Sequence, residues 1–444
     1  MPERNRLCTH KGLQERRRKP ASIPPGGNGM PAGRDLRLIN ADYQRKRKRV
    51  NLMKNLLELT PAEFAGLEFD CPCGRRHSVG IRKILIESGC LPAIVPTVKE
   101  LGGTHIFLLA DDNTFEAAGK RAKDLLCQAG LSLHGRVFPG TPVLVPDERT
   151  VGSALAAMEP EDDLILAVGS GVLNDTARIL SARTGIPYVI LATAPSMDGF
   201  ASTVSPLILD GMKITKSAVY PAAIVADTAI LKEAPMPMLT AGFGDIIGKY
   251  TALADWRLAR TLLDEYYCEQ SVALMERAVQ KCADNAAGLQ KRDEEAVRYV
   301  TEALVLSGVA MGLVGNSRPA SGAEHHFSHY WEVECLKRGV EHPLHGNSVG
   351  AAAVVSASLY ELAAGELPQG FAPPDKGQIL SVLKAAGACT SPKELGISRE
   401  LFLESVLPAM EIRERFTILR FLHQKGLLNA CAGALANRFY PAAG

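Results

Sequence analysis

The feature that most constrains the fold is a change of rhythm along the chain. Residues 106–110, 143–145, 164–168, 188–192 and 223–226 are short apolar runs, and 115–129, 150–158 and 173–183 between them have helical spacing. Apolar strands alternating with helices predict a parallel sheet covered on both faces. After Pro235-Met236-Pro237 the strand signal stops, and 245–263, 269–289, 293–311, 348–362 and 376–386 read as helices. Strands first and helices afterwards imply two domains, α/β with a parallel sheet and then all-α. A chain of 444 residues is also too long for one ordinary core. The predicted division is a basic extension over 1–40, an α/β domain over 41–238 that opens with a helix near 40–59, and an all-helical domain over 239–444.

Apolar residues make up 46% and charged residues 22%, the composition of a folded protein. Apolar runs such as 164–168 are interrupted long before the ~18 residues of a membrane span. No apolar segment follows the early basic residues, so no secretory signal is expected and the expected location is cytoplasmic. Residues 1–50 carry 14 Lys/Arg against 4 Asp/Glu, leaving 36 against 44 for the rest. Such a leader could meet nucleic acid. It lacks interleaved aromatics and contains Pro24-Pro25-Gly26-Gly27, so a disordered extension without a nucleic-acid partner is expected. The ten cysteines read as reduced thiols. In Cys71-Pro72-Cys73-Gly74-Arg75-Arg76-His77 two thiols and an imidazole could hold zinc with a fourth ligand; alone, the stretch reads as a tight turn.

Four stretches carry chemistry. Gly169-Ser170-Gly171-Val172-Leu173-Asn174-Asp175 follows a predicted strand and opens a helix. Glycines there let backbone N–H groups approach a pyrophosphate where the helix dipole favours negative charge. The third glycine of the dinucleotide fingerprint is missing. The loop from Thr193 to Ser202 follows the next strand, carries several hydroxyls and one carboxylate, Asp198, and sits where open α/β sheets bind ligands. Ala241-Gly242-Phe243-Gly244-Asp245-Ile246-Ile247-Gly248-Lys249 opens the helical half; its carboxylate needs a partner or a cation if buried, or else serves the helix dipole. Finally, His325, His326, His329, His342 and His345 are five of the ten histidines. His325 and His329, four apart, share a helical face and are the chelating pair that spacing proposes. One carboxylate with two imidazoles leaves an open coordination position, as in a catalytic metal site.

Gly-Ser-Gly-x-x-Asn-Asp, Thr-Ala-Pro-Ser-Met-Asp-Gly, Ala-Gly-Phe-Gly-Asp-x-x-Gly-Lys, Arg-Pro-x-Ser-Gly-x-Glu-His and a later His-Gly occur in that order. From about residue 67 to about residue 430 the chain therefore resembles the sn-glycerol-1-phosphate dehydrogenases, within the superfamily of iron-type alcohol dehydrogenases, glycerol dehydrogenase and dehydroquinate synthase. The resemblance implies a dehydroquinate synthase-like fold, NAD(H) or NADP(H) on the α/β domain, and one divalent metal (zinc, nickel or iron) in the cleft between domains. It implies Asp245, His325 and His345 as metal ligands, preferring the distant His345 to the local pair and leaving His329 in the substrate pocket. Gly169, Ser170, Gly171 and Asp175 correspond to the dinucleotide loop, and Thr193 and Ser196 to positions near the nicotinamide. Asp198 corresponds to a carboxylate near the reacting carbon, so Asp198 and His329 are the implied catalytic side chains. Asp111 falls where related enzymes bind the adenine ribose hydroxyls, which favours NAD.

The implied reaction is the reversible reduction of dihydroxyacetone phosphate to sn-glycerol 1-phosphate, by a homodimer or larger assembly. The substrate phosphate needs cationic partners, and Lys213, Lys216, Lys249 and Arg318 lie in or beside the motifs. Rival readings are a glycerol or other polyol dehydrogenase, a dehydroquinate synthase-like lyase and, from another class, a non-catalytic metal- or nucleotide-binding protein. The wording of the motifs at Asp245 and His325 argues against the lyase, and the complete ligand set against the non-catalytic protein.

Overall fold

A computed structural model describes residues 56–441. The basic extension and most of the helix expected near 40–59 lie outside the described residues. A short antiparallel hairpin, β1 (Glu68–Asp70) and β2 (Arg76–Ser78), comes first. Six strands then form one all-parallel sheet: β3 (Lys83–Glu87), β4 (His105–Asp111), β5 (Ser132–Phe138), β6 (Leu164–Gly169), β7 (Tyr188–Ala192) and β10 (Ala223–Asp227). Between β7 and β10 the chain makes a second hairpin, β8 (Val204–Leu209) with β9 (Met212–Ser217).

The order across the sheet is β3-β10-β7-β6-β4-β5. From β4 the chain steps outward to β5 and then returns to the other side with β6, so the winding reverses between β4 and β6. The carboxyl ends of those strands flank the crevice in which such sheets bind ligands. β6, β7 and β10 are buried at every residue, which is why they stand out as apolar runs.

The strand predicted at 143–145 is absent. Pro142 and Pro146 bracket it, and proline has no N–H to give a ladder. Its place is taken by β5, an edge strand whose Ser132-Leu-His-Gly-Arg-Val-Phe sequence mixes apolar and polar residues because only part of it is buried.

Seven helices position the site: α1 (Gly171–Thr184), α2 (Met236–Ile247), α3 (Lys249–Leu263), α4 (Glu269–Asp284), α5 (Glu294–Val314), α6 (Ala323–Lys337) and α7 (His345–Leu362). The helix predicted over 245–263 is two, meeting at Gly248. The boundary expected at 238/239 falls inside α2. One core runs through both halves: Ile165, Ile190 and Ile224 of the sheet share it with Phe243, Leu304 and Ala353 of the helices. α5 is long and apolar enough to cross a membrane by length and composition, which a search for unbroken apolar runs overlooks. It lies within the fold, with 72% of that apolar window buried, and packs on α2 and α4.

Candidate active site

Glycines decide how closely α2 approaches its neighbours. A Cβ on Gly242 would lie 1.7 Å from the Pro195 carbonyl oxygen, and one on Gly346 1.9 Å from that of Ala241. Hydrogen in place of a side chain lets α2 lie against the 193–202 loop on one side and against α7 on the other. The contact sets Asp245 of α2 beside His345, the first residue of α7. α6 is fixed at its start by Asp255, which accepts from the Ala323 N–H at 2.7 Å, and delivers His325 to the same place.

Asp245, His325 and His345 offer donor atoms that all lie within 4.8 Å of one another. His325 Nε2 stands 3.6 Å from Asp245 Oδ1. The His329 ring lies 6.1 Å from that of His325 and 5.3 Å from that of His345, outside this set of three. The set that converges is thus the carboxylate with one near and one distant imidazole, rather than the i, i+4 pair.

Protonation suits a cation. Burial holds His325 well below the ordinary imidazole range, with Lys249 adding to the effect. His329 is depressed in the same way by burial and by Lys213, and His345 is lowered by burial against the pull of Asp245. Neutral imidazoles keep a lone pair for a metal. The Asp245 carboxyl is pushed up by burial and by the charge of Asp198, so a bound cation would relieve its environment. Glu324 Oε1 lies 2.8 Å from His325 Nδ1, the brace that fixes the ring and turns its other nitrogen outward. Sequence reading overlooked Glu324. The chemistry of these donors therefore fits a divalent first-row ion.

The 193–202 loop joins this centre to the sheet. Lys249 Nζ, fully buried, lies 2.7 Å from Asp198 Oδ2 and 2.7 Å from Asp245 Oδ1. The Asp198 N–H donates to Asp245 Oδ2 at 3.0 Å, and Ser307 Oγ donates to Asp198 Oδ2 at 2.8 Å. Burial alone would raise the Asp198 carboxyl, but Lys249 brings it down to about 2. At the loop's other end Ser170 Oγ and Ser196 Oγ are 2.6 Å apart, and the Thr193 N–H donates to the Gly169 carbonyl at 3.0 Å. Gly169 and Gly171 thus open α1 at the crevice of the sheet. Asp111 ends β4 on its other side, its carboxylate accepting from the Thr114 N–H at 2.8 Å. Asp175 points behind the loop: its carboxylate binds Arg178, whose guanidinium also reaches the Tyr188 hydroxyl and the Gly199 carbonyl. Burial pushes Asp175 up to about 6 against that pull.

Two of the four expected phosphate partners need correction. Lys249 is fully buried between two carboxylates, and Arg318, 3% exposed, is held by Glu265 and the Phe416 carbonyl, so both charges are enclosed away from a phosphate. Lys216 is exposed on β9. Lys213, also on β9, pairs with Glu332, and its charge reaches His329 and His345. Arg413 was missed from sequence. Its guanidinium donates to Ser317 Oγ at 2.8 Å, and its charge acts on His325, His329 and Asp198.

Comparison with known proteins agrees with this architecture. The profile of the iron-containing alcohol dehydrogenase family matches residues 85–235. A protein of Bacillus velezensis named glycerol-1-phosphate dehydrogenase (NAD(P)+) is 36% identical over 379 residues, covering 82% of this chain and 96% of its own. One of the same name from Halalkalibacterium halodurans is 34% identical over 381 residues, covering 80% and 96%. Among solved structures, an iron-containing alcohol dehydrogenase of Thermococcus thioreducens superposes with a TM-score of 0.60 at 17% identity, covering 78% of this chain and 98% of that one. That likeness is one of fold.

Proposed function

The chain belongs to the glycerol-1-phosphate dehydrogenase family, and from that premise we propose that it reversibly reduces dihydroxyacetone phosphate to sn-glycerol 1-phosphate with NAD(P)H and a divalent metal. The observation that carries the reading is the convergence of Asp245, His325 and His345 beside a loop tied to the glycine turn of the sheet. Bound there, a zinc, nickel or iron ion would act as a Lewis acid toward the substrate's C2 oxygen. The dinucleotide would supply hydride to C2, with the protein providing orientation.

The side chains divide the remaining work. The Gly169-Ser170-Gly171 turn offers the N–H groups of a helix start to a pyrophosphate, and Thr193 and Ser196 line the path toward the nicotinamide. Asp111, at the end of β4, would take ribose hydroxyls and so favour NAD. Asp198 is held ionised by Lys249 and Ser307 next to the reacting carbon and orients the substrate's hydroxyl by accepting from it. His329, neutral and beside His345, can pass the proton that the C2 oxygen gains. Lys213 and Arg413 are, besides the enclosed Lys249, cations whose fields reach this space, and the substrate phosphate would lie between them. In this reading the sheet half carries the nucleotide and the helical half the metal and substrate.

The experiment is turnover by the purified chain with NADH or NADPH and Zn²⁺, Ni²⁺ or Fe²⁺. Dihydroxyacetone phosphate should be consumed and the product should be the sn-1 enantiomer. Turnover of unphosphorylated glycerol alone, with no reaction of the phosphate, would sink the assignment and favour a polyol dehydrogenase.

A further inference from the structure

A second cluster of ligand-type side chains shares no residue with this site: Cys71, Cys73, His77 and Cys268. We infer that these four residues hold a zinc ion that fastens the β1–β2 hairpin to the start of α4.

The distances argue for it. A tetrahedral zinc with bonds of about 2.3 Å to sulfur and about 2.0–2.1 Å to imidazole nitrogen requires about 3.8 Å between sulfurs and about 3.6 Å between sulfur and nitrogen. Cys71 Sγ lies 3.8 Å from Cys268 Sγ. His77 Nε2 lies 3.5 Å from Cys268 Sγ and 3.3 Å from Cys73 Sγ. All four donor atoms fall within 4.8 Å of one another. The fourth ligand, which the sequence left open, comes from 191 residues beyond His77.

Local backbone builds the cradle. Cys71 to Arg75 is the tip of the hairpin, closed by Gly74 N–H to Cys71 O and Cys71 N–H to Arg75 O, both 3.0 Å. Gly74 has φ +83°, a left-handed conformation that glycine adopts freely. This turn aims the N–H groups of Cys73 and Arg75 at the sulfurs of Cys71 and Cys73. Cys268 is the N-cap residue of α4, so its sulfur sits at the helix end where the dipole favours negative charge. The Tyr266 hydroxyl lies 3.2 Å from Cys73 Sγ. Such contacts fix and polarise metal-binding sulfurs.

Charge and closure fit as well. Three thiolates and a neutral imidazole around Zn²⁺ leave a net charge of −1, formed as the thiols release their protons. Arg75, with its guanidinium 3.5 Å above the Tyr266 ring, is the cation beside it. Four protein ligands leave no open position, the mark of a structural rather than a catalytic zinc. The surroundings are apolar: Leu253, Trp256, Val272 and Ala310 pack on Cys71 and Cys268. The remaining free cysteines, Cys90, Cys282, Cys335, Cys389 and Cys431, form no such group among the described residues.

The test uses the full chain purified under reducing conditions. His345→Ala, which removes a ligand from the Asp245 centre, should retain about one zinc per chain through dialysis against EDTA, and the His345→Ala/Cys268→Ser double variant none. Because Cys268→Ser can fail to fold, cobalt loaded into the wild-type chain gives an independent readout. Thiolate-to-cobalt charge-transfer absorption is expected, and an Asp/His/His centre cannot produce it. A zinc-free His345→Ala protein, cobalt without that band, or a Cys71–Cys268 disulfide found by mass spectrometry in place of metal overturns the inference.

Discussion

Lys249 and Asp198 form a salt bridge of 2.7 Å between the first residue of a helix in the C-terminal half and a loop of the sheet. The lysine is fully buried, and the Asp198 side chain keeps 15% of its surface exposed. Asp198 has an ordinary value of 3.8 and is lowered to about 2 in the fold. A depressed carboxyl contributes stability above its unfolded value and loses it as pH falls through the folded one. The stability difference between wild type and Asp198→Asn should therefore be about 2 kcal/mol near pH 6 and shrink between about pH 4 and about pH 2. Denaturant titrations across that range check it; a difference independent of pH would contradict the pairing.

Glu324 touches His325 on the nitrogen that faces away from Asp245. Glu324→Gln should lower metal affinity about 10- to 100-fold while leaving all three ligands in place. Competition against a chelator of known affinity measures this, and an unchanged affinity would remove Glu324 from the site.

His345 and His329 should separate in their effects. His345→Ala is expected to empty the Asp245 centre, leaving only metal held elsewhere in the chain. His329→Ala is expected to keep the ion but lose about 10²- to 10⁴-fold in kcat, the range for a lost proton-transfer group. Metal analysis beside kinetics distinguishes the two. Loss of the centre's metal in His329→Ala would return the chelate to the i, i+4 pair.

Gly346→Ala places a methyl where the Ala241 carbonyl oxygen stands 1.9 Å away. The expected cost is about 1–3 kcal/mol of stability, with weaker metal retention because α2 and α7 must part. Thermal unfolding and metal content on the same sample test this. A stable variant with full metal would mean that the two helices do not set the ligand spacing.

Lys213→Ala and Arg413→Ala should each raise KM for dihydroxyacetone phosphate by about 10- to 100-fold, the worth of a charged hydrogen bond. Dihydroxyacetone without its phosphate should show no such change. Equal effects on both substrates would assign these residues to something other than the phosphate.

What could be read from sequence follows burial. The strands at 106–110, 164–168, 188–192 and 223–226 sit inside the sheet, apolar on both faces, and so announce themselves. β3 and β5 lie at its edges, where a strand tolerates Lys83, His134 and Arg136, and no periodicity marks them. The grouping of Asp245, His325 and His345 came from the family resemblance of their motifs, since spacing alone proposed His325 with His329. Arg413 was not legible, because it stands in a loop whose approach to the site is made only by tertiary folding. The same limit hid Cys268 from the Cys71–His77 turn. Lys249 and Arg318 misled for a related reason: a sequence lists charges, not which carboxylates have already neutralised them.

The 193–202 loop is held at Ser196 by Ser170 of the glycine turn and, two residues on, at Asp198 by Lys249 and Asp245 of the helical half. Two ligands that act on one such tether are thermodynamically linked. Whatever factor a nucleotide changes the affinity for metal by, the metal must return to the nucleotide in equal measure. With nucleotide and metal bound as proposed, residues 196–198 would let each half of the molecule register the loading of the other.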